Sequence, residues 1–219
     1  MTTRPLLALL LAAGLSYAQP WPHNHAKGLG SDLEALCVSL NNSYECAKAI
    51  ERFQLGRKLK GVSRQGLTLT IRTTQGAIAS FTNPTKEEDP KGVWYAYLKP
   101  LTDVGYHLLH VQHYEGTQAM LVSMRTGRKT IFPAFSFLSP DNRHFITLGP
   151  SETHSTIQIW SLVPEPSLEW SSPSDTWELL SARWLALDRA EITKTDHNSN
   201  APDAIVIAKG QKGWSLANE

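Results

Sequence analysis

Residues 139–162 read SPDNRHFITLGPSETHSTIQIWSL, and this stretch decides the fold class. A turn of small and polar residues at 139–142 leads into the apolar run 145–148, and a polar loop separates that run from a second one at 156–163. Runs rich in β-branched and aromatic residues, bounded by turn-forming residues, are typical of β-strands. The stretch therefore predicts two antiparallel strands, and it contains no catalytic, metal-binding or nucleotide-binding motif.

The same arrangement, an aspartate-containing turn followed by two strands, occurs at two further places. Asp103, Asp141 and Asp188 each precede a predicted strand, at spacings of 38 and 47 residues. These spacings are close to the roughly 40–45 residues of a propeller blade. Aspartate suits such turns because its side chain binds backbone amides two residues on. With residues 57–98 as a further unit, we predict about four blade-sized β-units across residues 57–219.

The strand pattern is regular through this region. Residues 66–73 alternate between apolar and polar side chains and, with 77–81, predict a hairpin. The further predicted strands are 93–98, 106–114, 118–124, 190–193 and 204–208.

Two motifs in the opening stretch resemble one blade of the WD-repeat and TolB-type β-propellers. In those families an S-P-D-G turn leads into one strand and an I-x-I-W-D-L strand closes the repeat. This chain has SPDN at 139–142 and IQIWSL at 157–162, with Asn142 in place of the glycine and Ser161 in place of the aspartate. The resemblance implies a mainly β, propeller-like antiparallel meander domain, either closed or open. The whole chain is similar to exported bacterial proteins of unassigned function.

The N-terminal residues 1–18 have the features of a secretory signal peptide. Residues 6–15 are apolar but shorter than the roughly 20 residues of a membrane-spanning helix, and the small residues Ser16 and Ala18 precede the expected cleavage site. We expect a mature chain that begins at Gln19, is secreted or periplasmic, and has no membrane span. Residues 19–30 contain prolines and glycines without periodicity and are predicted to form a flexible segment.

Residues 31–56 predict a helical hairpin that precedes the β-domain. Ser31 and Glu34 have the spacing of a capping box, and apolar residues follow at helical intervals, with Ile50 and Phe53 on the second helix. Residues 41–43 interrupt the pattern, because asparagine and serine prefer caps and turns to helix interiors.

The two cysteines, Cys37 and Cys46, are predicted to form a disulfide. On one continuous helix they would point to opposite sides, whereas on a hairpin broken at 41–43 they face each other. Export places the chain in an oxidising compartment, where such pairs form. Their spacing is not that of a C-x-x-C redox motif, so we expect a structural role.

Charge excludes one class of partner. The chain has 21 basic and 20 acidic residues, and loss of Arg4 with the signal peptide makes the two numbers equal. A neutral chain without a clustered basic stripe lacks the features that bind a phosphate backbone. We expect no nucleic-acid partner.

Two groups of residues have the composition of metal sites. On a predicted strand, His107 and His113 share a face about 20 Å apart while His110 points the other way. We interpret them as ordinary strand histidines. The segment 196–203 resembles a calcium loop, but Ala201 stands where the turn glycine belongs and Ile207 where the bidentate glutamate belongs. We interpret its Asx-type residues as turn formers, with calcium as the alternative: Asp196, Asn198, Asn200 and Asp203.

No nucleophile elbow, phosphate loop or zinc-protease motif occurs in the sequence. Glu87, Glu88 and Asp89 indicate a solvated acidic turn rather than paired catalytic carboxylates, which need burial.

The alternation of side chains along a strand places Trp94 and Tyr95 on opposite faces, which argues against a shared sugar-binding face. We expect other rings to fill the space between blades, notably Trp160 and Trp184. No catalytic, cofactor-binding or metal-ligating residue is predicted, and no cofactor is expected.

The sequence thus favours a non-catalytic, exported module that binds a macromolecule, either a protein or a cell-envelope component. One alternative is a secreted hydrolase on the same scaffold, with a cluster of titratable residues in a central channel. A second is an inhibitor that inserts the loop 82–92 into an exogenous enzyme. A third is a structural piece of an envelope assembly, which would expose a wide apolar patch. Neither the partner nor the oligomeric state follows from the sequence.

Overall fold

The computed structural model describes residues 28–40, 42–86, 89, 91–114, 116–132, 135–149, 155–174, 177–196 and 199–217. In this part the chain is mainly β, with two helices, α1 (Ser31–Ala35) and α2 (Ser43–Gly56), followed by strands only. The predicted signal peptide at 1–18 lies outside the described residues. Among the described helices, none has the length and apolar character needed to cross a bilayer.

The strands form four antiparallel sheets in chain order, and within each sheet every strand pairs with its sequence neighbour. The first sheet contains β1 (Val62–Gln65), β2 (Thr68–Arg72) and β3 (Ile78–Thr82). The second contains β4 (Val93–Leu101), β5 (Tyr106–His113), β6 (Gly116–Ser123) and β7 (Lys129–Phe132). The third contains β8 (Phe135–Leu138), β9 (His144–Gly149), β10 (Ser155–Ser161) and β11 (Ser167–Ser174). The fourth contains β12 (Trp177–Ala186), β13 (Arg189–Asp196), β14 (Ser199–Gly210) and β15 (Gly213–Leu216).

The aspartate turns of the sequence repeat occupy equivalent places in this topology. Asp103 lies between β4 and β5, Asp141 between β8 and β9, and Asp188 between β12 and β13. Each turn therefore joins the first and second strands of a four-stranded sheet. The repeat found in the sequence coincides with the sheet order.

The first repeat unit differs from its prediction. We expected residues 57–98 to form one unit, but β4 pairs with β5 of the second sheet, with Tyr95 opposite Val111 and Tyr97 opposite Leu109. The first sheet consequently has three strands. The hairpin predicted at 66–73 and 77–81 is confirmed as β2 and β3.

The pair of strands predicted from the opening stretch is also confirmed, since Ile157 of β10 lies opposite Leu148 of β9. Several strands were not predicted: β1, β7, β8, β11, β12 and β15. Some of these are only four residues long, and β11 (SLEWSSPS) is largely polar. Such segments become strands because a neighbouring strand offers backbone partners, a condition that local sequence does not report.

Helix α1 begins differently from the prediction. Gly30 rather than Ser31 is the N-cap residue, and no side chain caps this end. The carboxylate of Glu34 accepts a hydrogen bond from the backbone amide of Gly28 at 2.9 Å instead of reaching back to Ser31. The predicted capping box is therefore wrong, because the chain turns one residue earlier, at a glycine with a φ of 117°.

The break between the helices is confirmed, and Asn42 is the N-cap of α2. Its side-chain oxygen accepts hydrogen bonds from the amides of Tyr44 at 2.8 Å and Glu45 at 3.2 Å. This break brings together Cys37 and Cys46, which form the predicted disulfide with their Cα atoms 4.9 Å apart. The disulfide fixes α1 and its following turn against the start of α2.

Helix α2 covers the free edge of β4. The carboxylate of Glu51 accepts a hydrogen bond from the amide of Tyr97 at 2.6 Å, and the side-chain amide of Gln54 donates to the carbonyl of Leu98 at 3.0 Å. Both side chains are buried, whereas Phe53, which we expected on the buried face, is 39% exposed. An open strand edge would invite pairing with another chain, so these polar residues satisfy backbone groups that no further strand reaches.

Three apolar clusters lie between the layers. The cluster between the first and second sheets contains Leu69, Ile71, Phe81, Tyr97 and Leu109. The cluster that joins the helices with the second and third sheets contains Cys37, Ile50, Leu121, Phe132 and Phe145. The cluster between the third and fourth sheets contains Ile146, Ile159, Ile192, Ile207 and Trp214. Each sheet therefore packs face to face against the next, and burial of each large apolar side chain contributes about 1.5–3 kcal/mol.

Candidate functional site

A cavity of about 480 Å³ lies where four parts of the chain meet, and we call it the inter-sheet cleft. Its walls come from the segment before α1, from β4, from β8 with its following turn, and from β12. The lining residues are Gly28, Leu29, Gly30, Glu34, Lys99, Phe137, Leu138, Pro140, Asn142, Ala182, Arg183 and Trp184. Its volume lies in the range of small-molecule and cofactor pockets, which is about 300–1,000 Å³.

Lys99 is a partly buried cation in the inter-sheet cleft. Its ammonium donates to the carbonyl oxygen of Leu29 at 3.1 Å and approaches the side-chain oxygen of Asn142 at 3.5 Å. Both acceptors are neutral, and within the described ranges of the chain this ammonium forms no ion pair. Burial lowers the pKa of Lys99, and the nearby carboxylate of Asp32 offsets part of that effect. The side chain is thus a partly desolvated amine that faces a cavity.

The turn at 139–143 forms one rigid wall of the cleft. The buried hydroxyl of Ser139 donates to the carboxylate of Asp141 at 2.6 Å and accepts from the amides of Arg143 and His144. Asn142 has a φ of 57°, in the left-handed region that favours glycine and tolerates asparagine. Asn142 therefore fits this turn, and its side-chain amide lies beside Lys99.

The opposite wall is apolar and aromatic. The indole nitrogen of Trp184 donates to the carbonyl of Phe137 at 3.0 Å, so this tryptophan joins the fourth sheet to the third. Its ring also lies 5.8 Å from that of Trp214 and 6.1 Å from that of His144. With its only polar atom already bonded, Trp184 offers the cleft an apolar surface.

A charged cluster lies behind this wall and connects the third and fourth sheets. The carboxylate of Glu169 accepts from the ammonium of Lys209 at 2.9 Å and from the indole nitrogen of Trp214 at 2.6 Å. Nε2 of His144 lies 3.6 Å from the same carboxylate, while its Nδ1 is buried without a hydrogen-bond partner in the described structure. These contacts join the third and fourth sheets beside the cleft.

The pKa values in this cluster follow from burial and pairing. Burial lowers the pKa of His144, and the carboxylate of Glu169 opposes that effect. Burial alone would raise the pKa of Glu169, but its hydrogen bonds from Lys209 and Trp214 reverse the effect and lower it. At neutral pH the cluster therefore holds a carboxylate, an ammonium and a neutral imidazole.

The three strand histidines do not converge. His107 Nδ1 lies 2.9 Å from the hydroxyl of Tyr97, and burial lowers the pKa of His107 to about 4. His110 stacks on Tyr44 of α2, on the other face of β5, and Nε2 of His113 lies 2.9 Å from the side-chain oxygen of Gln118. In the described part of the chain, no three His, Cys, Asp or Glu side chains group so as to hold a metal ion.

The other candidate segments are only partly described. Asn198 of the calcium-like segment and the acidic residues Glu87 and Glu88 lie outside the described residues. Asp203 pairs with the ammonium of Lys194 at 3.1 Å on the neighbouring strand. This ion pair gives the carboxylate of Asp203 a structural partner.

The aromatic residues have the positions that alternation predicted. Trp94 packs against Tyr44 of α2, while Tyr95 packs against Phe81 of the first sheet, on the opposite face of β4. Trp160 lies between layers, with its ring 5.2 Å from that of Phe132. Tyr97 is completely buried, so burial raises its pKa.

Sequence reasoning missed the inter-sheet cleft. Lys99 directly follows the predicted strand 93–98, and no local pattern distinguishes it from the other lysines. The position of Leu29 in the predicted flexible segment likewise gave no sign that its carbonyl binds a lysine. The chain matches no protein-family model, no curated protein sequence and no solved structure.

Proposed function

We propose that this chain is an exported, non-catalytic module that binds a protein partner through the inter-sheet cleft. The observation that carries the proposal is the cleft itself, a cavity of about 480 Å³ that combines an aromatic wall with the ammonium of Lys99. Binding sites of this kind join apolar walls to a few placed polar groups.

The scaffold supports a role in binding. Four sheets stack in chain order, and the cleft forms where their turns and the N-terminal segment meet. We infer that the sheets act as blades of an open, propeller-like array, in keeping with the resemblance of residues 139–162 to a propeller blade. Rigid sheets that present turns to a partner are a common basis for recognition.

Export is part of the proposal. The Cys37–Cys46 disulfide supports a location in an oxidising compartment. The apolar run at 6–15 and the small residues before Gln19 support delivery there by a cleaved signal peptide.

A capture experiment tests this function. The mature chain from Gln19 is immobilised and exposed to envelope extract, beside two single variants. Pro140→Trp places a large ring at an exposed position that lines the cleft. Gln211→Trp places the same ring at an exposed turn position between β14 and β15.

We expect one stoichiometric partner to be retained by the wild-type chain and by Gln211→Trp, and to be lost with Pro140→Trp. Equal retention by all three proteins would place the binding surface elsewhere. Turnover of a compound from a panel of hydrolase substrates, with no partner retained, would overturn the proposal in favour of an enzyme.

A further inference from the structure

The ammonium of Lys99 forms no ion pair within the described part of the chain. The ammonium of Lys99 has three N–H donors, and among the described residues it contacts two neutral oxygens, those of Leu29 and Asn142. A partly buried charge is costly unless a counter-charge accompanies it. At least one donor of Lys99 therefore has no partner among the described residues and can serve an anionic group of a ligand.

The other charged residues around the cleft are already engaged. The carboxylate of Glu34 accepts from the amide of Gly28, and that of Asp32, which is 58% exposed, lies 4.0 Å from the guanidinium of Arg57. The guanidinium of Arg183 is bound by Glu191 through two hydrogen bonds, at 2.7 and 3.1 Å. Arg183, whose side chain is 66% exposed, keeps further N–H donors, whereas Lys99 is the partly buried cation of the cleft.

The remaining lining defines the rest of the ligand. Phe137 and Leu138 are buried apolar residues, and Trp184 presents a ring whose N–H is already bonded. One partly buried cation beside an aromatic wall matches a carboxylate next to an apolar group better than a polyphosphate, because the other cation of the lining, Arg183, is paired with Glu191.

We infer that the inter-sheet cleft recognises a peptide segment that carries a carboxylate beside an apolar side chain, with the carboxylate bound to Lys99 and the apolar group against Trp184 and Phe137. The carboxylate is that of an aspartate, of a glutamate or of a C-terminus. This inference rests on the proposed function, because it names the chemistry of the partner at the same cleft.

A peptide array provides the probe. Randomised hexapeptides are synthesised in two sets, one with a free C-terminal carboxylate and one with a C-terminal amide, and are incubated with the labelled mature chain. Selected peptides are then titrated in solution, and the affinity is measured from the change in the tryptophan fluorescence of the protein, to which Trp184 of the cleft contributes. Binding by the free-acid set alone identifies a C-terminal carboxylate, and binding by both sets identifies aspartate or glutamate.

Two variants change the charge of the cleft in opposite directions. Lys99→Met removes the ammonium and keeps the length of the side chain, and we expect it to weaken peptide binding about tenfold to a hundredfold. Glu34→Gln removes a carboxylate but keeps an oxygen that can accept from Gly28, and we expect it to strengthen binding about two- to fivefold. Lys60→Met, at an exposed position that does not line the cleft, is the matched control and should change nothing.

Opposite effects of Lys99→Met and Glu34→Gln support the inference, since a loss of stability alone would weaken binding in both. Selection of basic or uncharged peptides, equal affinities for the two variants, or no binding below millimolar concentration would overturn it. If the extract partner is retained equally by the wild-type chain and Lys99→Met but lost with Pro140→Trp, the carboxylate inference fails while the proposed function stands.

Discussion

The carboxylate of Glu51 on α2 lies 2.6 Å from the backbone nitrogen of Tyr97 on β4 and pairs at the same time with the guanidinium of Arg64. An acidic residue on the buried face of a helix thus serves as the partner of a strand edge. Arg64 in turn donates to the carbonyl of Tyr95 at 2.8 Å, so one ion pair satisfies both a donor and an acceptor of β4.

Replacement of Glu51 is expected to destabilise the protein strongly. In Glu51→Ala the guanidinium of Arg64 and the amide of Tyr97 remain buried without the carboxylate, so the free energy of unfolding should fall by about 3–5 kcal/mol. Urea unfolding followed by circular dichroism measures the change. Glu45→Ala, which removes a half-exposed carboxylate from the same helix, should cost less than about 1 kcal/mol. Similar losses in the two variants would contradict a special role for Glu51.

The disulfide is expected to contribute measurably to stability. Closure of the short loop between Cys37 and Cys46 restricts the unfolded chain and stabilises the folded protein by about 2–3 kcal/mol. The double variant Cys37→Ala/Cys46→Ala should therefore unfold at a lower urea concentration. Thiol labelling of the unfolded, unreduced wild-type chain should detect no free sulfhydryl, and detection of two would show that the pair does not form.

The turn before β9 is expected to depend on the backbone conformation of Asn142. Because this residue has a φ of 57°, Asn142→Val should cost about 1–2 kcal/mol, since a β-branched residue is strained in the left-handed region. Asn142→Gly should stay within about 0.5 kcal/mol of the wild type, because glycine adopts this conformation freely. Thermal unfolding of the two variants side by side tests the point, and equal melting temperatures would refute it.

Stability is expected to fall on acidification because of His107. Burial lowers the pKa of His107 to about 4 in the folded protein, whereas in the unfolded chain it is about 6.5. Between these values the unfolded chain binds a proton that the folded protein does not. The contribution of His107 to stability is therefore fully present above about pH 6.5, and it declines by about 3 kcal/mol as the pH falls to 4. The lowered pKa of His144 acts in the same direction.

Urea titrations at pH 7.5, 5.5 and 4.5 measure this decline. His107→Gln should flatten the pH dependence, and His113→Gln, on the same strand but only partly buried, is the matched control. An unaltered slope in His107→Gln would assign the acid sensitivity to other groups.

Much of the local architecture followed from residues that are close in sequence. The predicted break at 41–43 is confirmed, because the amide side chain of Asn42 caps α2 more favourably than it would fit inside a helix. The Cys37–Cys46 disulfide followed from the same break. The aspartate turns were recognisable because turn chemistry is carried by three or four consecutive residues.

The predictions were wrong where the local structure depended on distant parts of the chain. Ser31 and Glu34 have the local pattern of a capping box, yet Glu34 binds Gly28, because the preceding segment folds back beside the helix. Phe53 has helical periodicity with the buried Ile50, yet Phe53 is exposed. Glu51 and Gln54 are buried because they supply a hydrogen-bond acceptor and a donor to the edge of β4.

The sequence by itself determined the β class, the repeating turns and the disulfide, since each of these follows from short-range propensity, periodicity or cysteine spacing. The tertiary structure alone decided the inter-sheet cleft. Lys99, Asn142 and Trp184 belong to three different sheets or turns and meet only when the sheets stack. The physical reason is that side-chain desolvation and charge pairing depend on which surfaces pack together, and no single segment contains that information.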